Sequence, residues 1–152
     1  MSNYDVVEDD TLTLIDDIIS EKFSILNGCL IQPILYTKKK KTKGKYEITK
    51  LSKPNALIKH IYSIANNGND MDYILIIYSE VFYALDDKDK MLSIIHALEY
   101  ADVDTDNDDP YKLRGAEVET FYDELDLTKE DPLWQQRIQT IAESVYAKEK
   151  DN

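Results

Sequence analysis

From Thr11 onward, apolar residues recur every three or four positions, at Leu12, Ile15, Ile18, Ile19 and Phe23, until Asn27 and Gly28 interrupt them. That spacing predicts a helix with Asp10 or Thr11 as its cap and with Asp16, Asp17 and Glu21 turned outward. Two extended runs follow, Cys29 to Thr37 and Lys45 to Ser52, joined by the lysine-rich "KKKKTKG". Pro33 cannot donate to a ladder, which places the first run at an edge or a bulge. Beyond Pro54, Leu57, Ile58, Ile61, Ile64 and Ala65 form the apolar stripe of a second helix, with His60 off its centre, and Asn66 to Asp70 end it. The nearly unbroken apolar run from Met71 to Ser79 predicts a central strand covered on both faces. After a short helix or bend over Glu80 to Asp87, a helix over Asp87 to Asp102 packs Met91, Ile94, Ile95 and Leu98 and carries His96, Glu99 and Tyr100 on another face. Two further helices are predicted. One begins at Gly115 and Ala116, with Val118, Phe121, Tyr122 and Leu125 inward; the other follows Pro132, with Leu133, Ile138, Ile141, Val145 and Tyr146 inward.

The expected architecture is therefore α+β, a small mixed or antiparallel sheet of about three strands packed with four to six helices. A chain of 152 residues with 43% hydrophobic content suits one domain. It divides into a flexible acidic N-terminus over 1–10, a globular body over 11–148 and a charged tail over 149–152. No apolar run is long enough to span a bilayer, and the acidic start leads into no signal-peptide core. A single cysteine, Cys29, leaves no partner for an intramolecular disulfide, which fits a reducing cytoplasm and a small buried residue at a strand start.

Charge sharpens the picture. Eighteen basic and 30 acidic residues give a net of −12. The segment 38–53 holds eight lysines and one glutamate, leaving 10 basic and 29 acidic residues, a net of −19, for the rest of the chain. So acidic a body repels nucleic acid and anionic membranes and attracts basic proteins. Lys38, Lys39, Lys40, Lys41, Lys43 and Lys45 form a basic hairpin that either touches an acidic surface or guards an edge strand from aggregation. Asp102, Asp104 and Asp106 alternate as at the start of a calcium loop, but Asn107 replaces its glycine and Leu113 its bidentate glutamate. With Asp108 and Asp109, they also read as a solvated row of carboxylates that mimics closely spaced phosphates.

Catalytic patterns are scarce. The four glycines are isolated, so there is no phosphate-cradling loop, and no serine or cysteine triad is evident. The segment order over Asp72 to Phe121, a strand, a helix bearing His96, an acidic loop and "AEVETF" (Ala116 to Phe121), resembles the phage metallopeptidase family, a zincin-like group. The resemblance runs over roughly Asp16 to Leu125 and implies a minimal zincin-like domain. In that family the central helix carries H-E-x-x-H, and a later H-D-V-E-x-F-type segment offers a further ligand. Here His96 matches the first histidine, Ala97 stands at the general-base glutamate and Tyr100 at the second histidine. Downstream, Ala116 replaces the histidine and Glu117 the aspartate.

These replacements remove chemistry. A catalytic zinc takes three protein ligands, with the motif's glutamate accepting a proton from bound water. Alanine does neither, and tyrosine must lose a proton of pKa about 10 to ligate. His96, Glu99 and Glu117 are the residual metal candidates, and neither metal nor cofactor is expected. The reading is a non-catalytic phage-type protein whose acidic surface occupies a basic host protein, a nucleic-acid-binding or defence protein, as a DNA mimic. The alternatives are a divergent metal hydrolase and a phage structural or assembly component.

Overall fold

The computed structural model describes residues 3–106, 108–114, 131 and 133–150, with residues 148–150 described by their backbone only. The predicted helix beginning at Gly115 and Ala116 lies outside them.

The elements follow in chain order. Strand β1 (Tyr4–Asp5) and helix α1 (Asp9–Lys22) lead, through a 3₁₀ turn at Ser24–Leu26, to β2 (Ile31–Tyr36). Two short strands, β3 (Lys41–Thr42) and β4 (Lys45–Tyr46), precede β5 (Thr49–Ser52) and α2 (Ala56–Ala65). Then come β6 (Tyr73–Tyr78), α3 (Ser79–Phe82) and α4 (Asp87–Leu98). The ribbon β7 (Ala101–Val103) and β8 (Tyr111–Leu113) and the helix α5 (Trp134–Lys150) complete them. This is an α+β fold, as the sequence pattern predicts. Its sheet has four strands in the order β1-β2-β6-β5; β2 runs parallel to β6, while β1 and β5 are antiparallel to their neighbours.

Strand β6 is central, and its two faces differ. Tyr73, Leu75 and Ile77 have no exposure, whereas Ile74 and Ile76 are half-buried. The buried face continues across the ladder into Leu51 and Thr49 of β5 and Leu35 of β2. Against it lie Ile15 and Ile18 of α1, Leu92, Ile95 and Leu98 of α4, and Trp134, Ile138, Ala142 and Tyr146 of α5. In α5 the inward residues thus begin at Trp134, and Leu133, expected inward, is 65% exposed. Trp134, Ile138, Ala142 and Tyr146 recur at i+4 and form one continuous stripe, from which Leu133 is rotated away.

Several expectations are corrected. Residues 3–5 are part of the sheet and no loose lead: the Thr37 amide donates to the Asn3 carbonyl at 2.8 Å, and the Tyr4 and Tyr36 rings lie 5.2 Å apart. β1 reaches only Leu35 and Tyr36, so beside Pro33 no described strand needs the missing donor. The run from Lys45 to Ser52 splits into β4 and β5, which belong to different sheets. β4 folds back on β3 through Lys43 (φ 52°) and Gly44 (φ 79°), both in the left-handed region that a two-residue hairpin demands.

Helix α2 departs most from expectation. Its ends are well made: Asn55 Oδ1 accepts from the Ile58 amide at 2.9 Å, and Asn67 and Gly68 turn left-handed as the helix stops. Yet none of its ten residues is buried. Lys59, Tyr62, Ser63 and Asn66 are the half-buried side, and the apolar stripe faces water.

At the far end of the core, α4 and α5 are clamped by charge. Asp89, 1% exposed, accepts from Arg137 Nε at 3.0 Å. The same guanidinium reaches Asp131 at 2.9 Å, and Lys88 reaches Asp131 at 3.0 Å. These cations hold the Asp131 carboxyl far below the usual carboxylate range. Arg137→Ala leaves the Asp89 carboxylate buried and unpaired. The expected loss is about 3 kcal/mol in urea unfolding, the low end for a broken buried pair because the guanidinium is itself partly solvated.

Candidate functional site

Helix α4 sets out the residues of interest at helical spacing. Ser93, His96 and Tyr100 line one cleft of about 910 Å³, whose other walls come from β4, β5, α5 and the end of β8. His96 is half-buried there, its ring meeting Tyr100 edge-on at 5.5 Å and Trp134 at 6.1 Å. Ala97 turns into the core with 1% exposure. Glu99, 8% exposed, accepts from Arg114 Nη2 at 3.1 Å, and Arg114 Nε donates to the Glu99 carbonyl at 2.8 Å. The Arg114 amide donates to the Tyr100 carbonyl, also at 2.8 Å. Arg114 therefore straps the end of β8 to the end of α4, and Glu99 serves that strap.

Of the three residual candidates, His96 lies against two aromatic rings, Glu99 is engaged by a guanidinium, and Glu117 lies outside the described residues. Among the described residues no three His, Cys, Asp or Glu side chains are grouped to hold a metal. The cleft's floor instead offers two buried polar atoms with no hydrogen-bond partner, Ser93 Oγ and Gln135 Nε2. Such atoms call for a water or a polar ligand. Ser93, Arg114 and Gln135 are not site candidates in the sequence pattern. Only Ser93, three positions before His96 and hence on its face, carried a local signal.

The profile of one protein family, described as putative phage metallopeptidase, matches residues 5–146. The chain belongs to this family. No curated protein and no solved structure matches it.

The acidic loop proves to be a β-ribbon. Asp102 sits in β7 opposite Lys112 of β8, and Asp104, Asp106, Asp108 and Asp109 are exposed around its tip. Asp106 donates its amide to Asp104 Oδ1 at 3.2 Å. Lys53 Nζ lies 2.7 Å from Asp109 and also donates to the Tyr111 carbonyl, so it anchors the ribbon and holds the Asp109 carboxyl below its ordinary range.

The lysine hairpin is partly committed as well. Lys41 Nζ lies over the Tyr46 ring at 4.7 Å and Lys39 Nζ over Tyr146 at 5.9 Å. Gln139 of α5 brackets the Tyr46 backbone, donating to its carbonyl at 2.8 Å and accepting from its amide at 2.9 Å. Lys38, Lys40, Lys43 and Lys45 are exposed. No helix among the described residues is long and apolar enough to cross a membrane.

Cys29 is half-buried, and desolvation, with Asp72 adding to it, pushes its thiol up to about 11. The thiolate is the reactive form, so Cys29 is suppressed as a nucleophile at neutral pH. In native protein, iodoacetamide is expected to label it at least tenfold more slowly at pH 8 than in urea. The native rate should climb toward pH 11, as followed by mass spectrometry.

Proposed function

We propose that this chain is a non-catalytic member of its family that works by binding. Its acidic surface occupies a basic face of a host nucleic-acid-binding or defence protein, in the host cytoplasm, in the manner of a DNA mimic. The observation that carries this reading is the β7–β8 ribbon, which holds Asp104, Asp106, Asp108 and Asp109 exposed on a short, anchored projection. Carboxylates carried on an anchored ribbon present concentrated negative charge to a phosphate-binding groove, with less ordering on contact than a free loop requires. Exposed Asp9, Asp10, Asp16, Asp17 and Glu21 add a second acidic face on α1 and extend the field that steers a basic partner.

The replacement of the general-base glutamate by buried Ala97 and of the second histidine by Tyr100 supports the non-catalytic half of the reading. One feature favours a second reading, a divergent metal hydrolase: His96 faces the cleft with Ser93 and Gln135 beside it. The two readings separate cleanly. Elemental analysis of protein purified without chelator or metal-binding tag is expected to show less than about a tenth of one zinc per chain, where a catalytic site would hold one. Stoichiometric zinc, with activity lost in His96→Ala, would instead establish the hydrolase.

The binding half is tested with the immobilised chain in host lysate at low salt. Nucleic-acid-binding proteins should be retained, released by duplex DNA, and bound at least tenfold more weakly between about 50 and about 300 mM salt. Asp104→Asn, Asp106→Asn and Asp108→Asn together should reduce retention at least tenfold. Asp109 is left intact because it anchors the ribbon through Lys53. Undiminished retention by the triple variant would remove the ribbon from the binding surface.

A further inference from the structure

Helix α2 is inside-out. Lys59, Tyr62, Ser63 and Asn66 form the side that meets the body, while Leu57 (66% exposed), Ile58 (40%), Ile61 (58%) and Ile64 (70%) face water beside exposed Ala65. A contiguous aliphatic patch on a helix with formed caps is the kind of surface that marks an interaction site. A helix of ten residues is also too short to hold itself by propensity alone. Three observations bear on what covers it.

The first is symmetry. The stripe is arranged evenly about Ile61, with Ile58 and Ile64 three residues to either side and Leu57 and Ala65 four. Laid antiparallel on a second copy of itself, the helix puts Ile61 against Ile61, Ile58 against Ile64 and the large Leu57 against the small Ala65. Every contact is then repeated by the two-fold, as an isologous interface requires.

The second is charge. Two copies of a chain with net charge −12 repel over most of their surface, yet no Asp or Glu occurs between Lys53 and Asp70. α2 itself therefore adds no opposing carboxylates when two copies meet on it. The antiparallel arrangement also brings exposed Asp70, just past the end of one helix, to the Lys53 side of the other helix's N-terminus, where the helix dipole favours an anion.

The third is size. Four exposed aliphatic side chains make a small contact beside the about 1,200 Å² or more that stable interfaces bury in total. The pair therefore forms reversibly with concentration.

We infer that α2 is a homodimerisation helix, pairing antiparallel with α2 of a second copy of this chain about a two-fold axis at Ile61.

Sedimentation velocity of the full chain is expected to move from monomer to dimer between about 1 and about 300 µM. Ile61→Asp should hold it monomeric throughout, with an unchanged far-UV circular dichroism spectrum because Ile61 is exposed. In a Cys29→Ser background, Ile61→Cys should give an oxidised dimer on gels, whereas Ile25→Cys, at an exposed position outside α2, should not. A wild-type chain that stays monomeric across the range overturns the inference, as does a dimer that survives Ile61→Asp. Flotation with phosphatidylglycerol vesicles that Ile61→Asp abolishes, in a chain that stays monomeric, would overturn it in favour of a membrane surface.

Discussion

Along one side of β6, Tyr73, Leu75 and Ile77 give up all solvent exposure, and the rest of the molecule is positioned by that loss. Each fully buried aliphatic side chain contributes about 2 kcal/mol, and a one-residue slip of the strand would turn the set toward water. The register with β2 on one side and β5 on the other is thereby fixed. β5 in turn holds α4, through the Thr49 hydroxyl donating to the Ser93 carbonyl at 2.7 Å. α4 and the turn that follows it present Ser93, His96 and Tyr100 to the cleft. The candidate site thus depends on the burial of a strand that contributes nothing to the cleft itself.

The second level of order is polar and acts at the ends of α4. At its N-terminus Asp89 meets Arg137 and fastens α5; at its C-terminus Glu99 meets Arg114 and fastens β8. A buried carboxylate without its cation is costly, so each pair defines one docking arrangement more sharply than apolar packing does. The acidic residue next to Tyr100 is occupied by an arginine that ties down a neighbouring ribbon.

That ribbon and α2 divide the surface between two kinds of contact. One is acidic, anchored by Lys53 and Arg114, and suited to a cationic face; the other is aliphatic, without carboxylates, and suited to a copy of itself. Lys53 links the two, standing one residue before Pro54 at the approach to α2 while bonding to Asp109 and the Tyr111 carbonyl in the ribbon. In a chain this acidic, a self-contact clear of carboxylates is the kind that self-repulsion opposes least.

The sequence by itself determined the α+β class, the central place of β6, the ends of α2 and the family, because each is written in local spacing and in residue identities. The tertiary structure alone decided that α2 turns its apolar stripe outward, that 45–52 divides between two sheets, that Trp134 rather than Leu133 enters the core, and that Glu99 is held by Arg114. Periodicity states which side chains share a face, but not which face meets the body. An ion pair between residues 15 or 48 positions apart is invisible until the chain has folded them together.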